Sequence, residues 1–150
     1  MRLDHLAYRV NDRKATSFFI CEAFNYKIQE EFEILFDDES KALCYALEPK
    51  ELRHSQSIRP MIVNSGFGPL SYEYHSQPEI FVSEGSFGSI VDKWVLKYGN
   101  GIHHLAYQVE DVEAKMNEWI EKGLAEFTTS KPISNSNDLV QCFTKFTVNF

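Results

Sequence analysis

Apolar positions along the chain alternate at strand period in some stretches and recur at helical spacing in others, and the resulting order of elements occurs twice. Residues 3–10 alternate as a strand, and Asp12 follows at a helix N-cap position. Residues 13–24 carry Ala15, Phe18, Phe19 and Ala23 at helical spacing. This predicts an amphipathic helix whose aromatic cluster of Phe18, Phe19 and Phe24 belongs to the core. YKIQEEFEILF (26–36) and KALCYALE (41–48) read as strands joined by the turn-like DDES, and PEIFVSEG (78–85) reads as a fourth strand. Between them, 49–76 contains Pro49, Pro60, Gly66, Gly68 and Pro69 and reads as an irregular excursion with a short strand at 61–64. Ile90, Val91, Trp94 and Tyr98 define a connecting helix that stops at Gly99-Asn100-Gly101. The plan then restarts. Strand 102–109 leads to Asp111 as N-cap, then to a helix with Val112, Met116, Trp119 and Ile120 on one face and Gly123 at its end. Strands are expected at 124–129 and 138–144. Each half is thus βαβββ, with Phe150 falling where the last strand of the second half should start.

The two halves share more than their pattern. LDHLAYRVND (3–12) returns as IHHLAYQVED (102–111), with identity at His5/His104, Leu6/Leu105, Ala7/Ala106, Tyr8/Tyr107, Val10/Val109 and Asp12/Asp111. A repeat kept only for packing would preserve apolar residues, whereas this one also preserves a histidine. Two equivalent histidines on equivalent strands can face each other across a shared site, and histidine is the commonest metal ligand. His103 directly precedes His104 and is expected on the opposite face of its strand. His54 and His75 lie in the excursion and read as solvent-facing polar residues.

Composition narrows the classes. A 150-residue chain with 43% hydrophobic and 14% aromatic residues can bury a substantial core, so one globular domain is expected and not disorder. Lys and Arg number 15 against 22 for Asp and Glu, a net charge of −7, which argues against binding nucleic acid or an anionic membrane unaided. No run of about 18 apolar residues and no basic-then-apolar leader is present, so neither a span nor a signal peptide is expected. Cys21, Cys44 and Cys142 are odd in number, widely spaced and without a CxxC pattern. They read as reduced, small core residues, and a cytoplasmic location is expected.

Two βαβββ halves, each opening with a (D/H)-H-(L/I)-A strand, resemble the vicinal oxygen chelate superfamily of glyoxalases, bleomycin-resistance proteins and dioxygenases. The segment SIVDKWVLKYGNGIHHLAYQVEDVEAKMNEWIEKG (89–123) resembles methylmalonyl-CoA epimerases and the catalytic half of 4-hydroxyphenylpyruvate dioxygenases. DLVQCFTKF (138–146) resembles the dioxygenases more, and 49–76 matches neither. The resemblance implies an α+β fold in which two βαβββ modules form a cupped sheet. Module one would span 1–85, the connecting helix 86–100 and module two 101–150, as a single domain over 1–150.

Carried over position by position, the resemblance implies a divalent ion, of Fe, Mn, Co, Ni or Zn, held by His5, Glu79 and His104. It also implies Gln141 as a substrate contact. Two imidazoles and a carboxylate suit such ions, and open positions let a substrate chelate through two oxygens. The ion would then neutralise a developing enolate. Two departures stand out. The glutamate base of the epimerases has Cys44 at its matching place, and the fourth ligand, a glutamate late in module two, has no counterpart. In this fold the fourth strand of each module lies beside the first, so the slot next to 102–109 needs an occupant. A short strand over 146–150 is expected there, a partner chain or further residues being the other candidates. The expected function is a metal-dependent lyase, isomerase or dioxygenase acting on a small 2-oxo acid or thioester. The competing class is a non-catalytic small-molecule-sequestering protein on the same fold. A small-molecule substrate is the implied partner, with a homodimer as one assembly open to the chain.

Overall fold

The computed structural model describes residues 1–50, 77–134 and 140–145. The 61–64 strand, His54, His75 and the strand expected over 146–150 lie outside these residues. By internal contacts the chain divides into two compact units, one spanning 3–106 and the other taking residues 1–2 with 107 onward.

The first unit carries the predicted order. Strand β1 (Arg2–Val10) leads to helix α1 (Arg13–Phe24), then β2 (Tyr26–Leu35), β3 (Lys41–Pro49), β4 (Glu79–Gly85), α2 (Ile90–Tyr98) and β5 (Gly101–Gln108). The five strands form one mixed sheet in the order β2-β3-β4-β1-β5. β1 and β4 run parallel, with His5 opposite Glu79 and Ala7 opposite Phe81, whereas β3 is antiparallel to both β2 and β4. The fourth strand of the module does lie beside the first.

Alternation along the strands gives the sheet two different faces. Leu6, Tyr8 and Val10 of β1, Tyr45 and Leu47 of β3, and Ile80 and Val82 of β4 pack with Ile20 and Cys21 of α1 into the core. The Tyr26 hydroxyl, at the edge of this core, donates to the Pro78 carbonyl at 2.8 Å. His5, Ala7, Cys44, Ala46, Glu79 and Phe81 belong by register to the opposite face. Asp12 caps α1 by accepting from the Ala15 N–H at 2.8 Å. A reciprocal amide pair, Asn11 with Asn100 at 2.9 Å, ties the end of β1 to the start of β5.

One part of the helix prediction is overturned. The buried stripe of α1 is Arg13, Ser17 and Ile20, while Phe18, Phe19 and Phe24 are exposed. The guanidinium of Arg13 lies over the Tyr45 ring at 4.1 Å and pairs with Glu31 at 2.6 Å, so an amphipathic side chain covers core surface. Ser17, fully buried and small, allows the helix to approach the sheet closely. The aromatic side of the helix therefore faces away.

In the second unit Asp111 repeats the work of Asp12, capping α3 (Val112–Glu121) by accepting from the Ala114 N–H at 2.9 Å. Gly123 turns the chain at φ 62°, a left-handed conformation that favours glycine. Among the described residues, the later strands are shorter than expected, residues 138 and 139 of the second lying outside them. Residues 124–129 make only an isolated bridge, Phe127 with Thr144, flanked by bonds from the Thr128 N–H to Phe143 and from the Lys145 N–H to Glu126. The regular pairing is between β6 (Ile133–Ser134) and β7 (Val140–Gln141). Strand propensity marks these segments as extended without fixing a long register. Among the described residues, no helix is long and apolar enough to cross a membrane.

Candidate functional site

On the sheet face opposite α1, β1 and β5 bring the repeated histidines together. The rings of His5 and His104 stand 5.6 Å apart between centroids, edge to face. His5 is stacked on Phe81 of β4 at 4.2 Å and 18°, and Phe81 in turn meets Phe32 of β2 edge-on at 5.7 Å. Phe81 follows Glu79 by two positions, so its place on the same face follows from strand alternation. Its packing against His5 required the β1–β4 register, which no local pattern discloses.

His103 is exposed beside His104. Its backbone position alternates with that of His104, yet the two rings meet, Nδ1 to Nδ1 at 2.8 Å. Among the described residues β5 is the last strand of the sheet, and both rings belong to one aromatic cluster that continues through Trp94 of α2 at 5.5 Å. Arg9 lies over the Trp94 ring, 5.8 Å from its centre.

Electrostatics favour neutral, donor-competent imidazoles here. Burial, reinforced by the charges of His103, His5 and Arg9, lowers His104 to about 4. Burial and Arg9 lower His103 to about 4. A neutral ring keeps a lone pair for a metal or a proton. His5 Nδ1 stands 3.0 Å from Asp4 Oδ2, and its side chain is largely sheltered.

The third expected ligand is less well placed. Glu79 sits opposite His5 in the parallel ladder and is exposed to solvent. Among the described residues, no three His, Cys, Asp or Glu side chains are gathered closely enough to hold a metal ion. Two imidazoles and a carboxylate are donor types that suit a divalent ion, but the described residues do not gather them, Glu79 lying beside His5 along the ladder. Cys44 is fully buried on the same face, and burial pushes its thiol up to about 12, so it is no substitute for a carboxylate base. Cys21 and Cys142 are free thiols, half-buried. Gln141 lies in β7, half-buried, opposite Ile133.

The family model described as the glyoxalase/bleomycin resistance protein/dioxygenase superfamily matches residues 4–142. The chain belongs to that superfamily. The superfamily is commonly metal-dependent. A methylmalonyl-CoA epimerase structure resembles this one with a TM-score of 0.65 at 20% identity, over 96% of this chain and 85% of that one. The epimerase of Mycobacterium tuberculosis gives 0.65 at 16% identity, over 96% and 78%. A Streptomyces coelicolor epimerase variant in complex with 2-nitronate-propionyl-CoA gives 0.61 at 18% identity, over 97% and 85%. At such identities the likeness establishes the fold. No curated protein sequence matches the chain.

Proposed function

We propose that this superfamily member is a metal-dependent enzyme, a lyase, isomerase or dioxygenase, acting on a small 2-oxo acid or acyl thioester. His5, His104 and Glu79 would hold the ion. The carrying observation is the pair of repeated histidines, 5.6 Å apart on neighbouring strands, with Glu79 beside His5 in register. A Glu79 rotamer change would be needed to bring its carboxylate to the imidazoles. When bound, an Fe, Mn, Co, Ni or Zn ion supplies Lewis acidity toward two substrate oxygens. The chain's own contribution is to keep the His104 imidazole unprotonated and to fix the His5 plane against Phe81. Gln141 would contact substrate, and the protein would act in the cytoplasm as one domain over 1–150, as a monomer or homodimer. The acyl-CoA ligand of the Streptomyces neighbour supports including thioesters among the substrates.

A non-catalytic sequestering role is the second reading. It is favoured by Cys44, a buried and protonated thiol where an epimerase-like base would stand. The test is turnover of 2-oxo acids, hemithioacetals and acyl-CoA thioesters with each of the five metals supplied. Turnover that a His5→Ala, His104→Ala double variant abolishes would support the enzyme. Equal turnover by that variant would remove the metal mechanism, and ligand binding without turnover under any metal would favour sequestration.

A further inference from the structure

Helix α1 turns a pair of aromatic side chains outward. Phe18 is 70% and Phe19 62% exposed, and Phe24 at the end of the helix meets Phe19 edge-on at 5.9 Å. Single exposed apolar residues are ordinary, whereas adjoining aromatic rings on one outward face mark an interaction surface.

The duplication supplies an internal comparison. Counting from the N-caps Asp12 and Asp111, Phe18 and Phe19 of α1 correspond to Asn117 and Glu118 of α3, and buried Ser17 corresponds to buried Met116. Equivalent positions therefore turn inward in both helices. At the outward positions of α3, Glu118 pairs with Lys115 and Lys122. One copy is polar where the other is aromatic, so the module itself does not require phenylalanines there.

The residues around the rings narrow the occupant. Lys14, Phe18 and Glu22 recur at four-residue spacing, with Ala15, Phe19 and Ala23 in the adjacent row, and all six are exposed. Lys14 and Glu22 stand about 6 Å to either side of Phe18 along the helix axis. Neither has an ion-pair partner among the described residues. Both also oppose the helix dipole, since the first turn of α1 holds no acidic residue and the last no basic one. Helix stability thus does not explain their placement. A cation and an anion on opposite sides of an aromatic centre match the same stripe turned end for end. A two-fold axis near Phe18 sets Lys14 of each copy against Glu22 of the other and brings the phenylalanines together at the centre. The small side chains of Ala15 and Ala23 leave room for the helices to approach. The stripe is neutral, so the chain's charge of −7 is not concentrated where two copies meet. We propose that the Phe18–Phe19 face of α1 is a self-association surface, on which a second copy of this chain docks by antiparallel α1–α1 packing. The inference decides the assembly in favour of a homodimer and does not depend on the metal reading.

Sedimentation velocity over a concentration series, with a chelator present, tests it. The unaltered protein is expected to pass from monomer to dimer as concentration rises. Phe18→Asn with Phe19→Glu, which copies the α3 residues, should weaken the dimer at least about 100-fold, with the circular dichroism of the fold retained. Lys14→Glu should weaken it about 10-fold by setting like charges opposite each other. Lys14→Glu with Glu22→Lys should restore it, because the reversed stripe is again complementary to itself. That double reversal also aligns both charges with the helix dipole, so a loss of association could not be blamed on the helix. A monomer at every concentration would overturn the inference and leave the face to a different occupant. A dimer unaffected by the aromatic variant, or one that the double reversal fails to restore, would also overturn it.

Discussion

Acidifying the metal-free protein from pH 7.5 to 4.5 should cost it stability through His104. That ring is lowered from the ordinary 6.5 to about 4, by burial first and then by the charges of His103, His5 and Arg9. In the unfolded chain it takes a proton near 6.5. Between 6.5 and 4 the unfolded state therefore binds more protons than the folded state. The contribution is complete above 6.5 and is lost as pH falls toward 4. A gap of roughly 2.5 pH units corresponds to about 3 kcal/mol. The ring is only partly sheltered, so solvent screening reduces this to on the order of 2 kcal/mol. His103, lowered to about 4 by burial and Arg9, lies more open to solvent and contributes less. With their Nδ1 atoms 2.8 Å apart, the two rings titrate as a pair. Glu118, held to about 2 by Lys115 and Lys122, titrates below this window. The assay is urea unfolding at half-unit pH steps with a chelator present, comparing the unaltered protein with His104→Asn. The unaltered protein should lose about 2 kcal/mol more than the variant across the window, and the His104 ring protons should titrate near 4. Parallel stability curves together with a His104 midpoint near 6.5 would refute the reasoning.

Two substitutions away from the histidines test the packing account. Ser17 is fully buried and its hydroxyl oxygen has no hydrogen-bond partner among the described residues, so Ser17→Ala should leave stability unchanged or raise it by about 1 kcal/mol in thermal unfolding. A loss of the same size would contradict this. At Gly85 an added Cβ would overlap Ser89 Oγ, the cap of α2, and stand 2.7 Å from the Asp92 nitrogen. Gly85→Ala should therefore cost about 1–3 kcal/mol, and an unchanged Tm would argue against so close a strand–helix approach.

Much of the first module could be read from the sequence because its signals are local. Asp12 and Asp111 cap their helices as their positions suggest, and the β1-to-α2 order follows from alternation and helical spacing. Counting apolar residues misassigned the faces of α1. Arg13 covers the core with its stem and Ser17 fits by being small, and neither scores as hydrophobic. In the later strands, local propensity could not choose a register, and among the described residues the pairing is that of β6–β7 and the Phe127 bridge. The histidine pair was legible only because the repeat carried it. The contacts of Asp4 with His5, of Phe81 with His5 and of His103 with His104 required the strand register and ring placement that sequence alone does not give.

The central claim is that the repeated histidines form a metal site, and the most direct test is metal content. The protein would be loaded anaerobically with each of Fe(II), Mn(II), Co(II), Ni(II) and Zn(II), desalted, and examined by native mass spectrometry beside the His5→Ala, His104→Ala double variant. The account predicts one retained ion per chain for at least one of these metals, lost in the double variant while the fold is kept. No retained ion with any metal, or the same ion retained by the double variant, would contradict it.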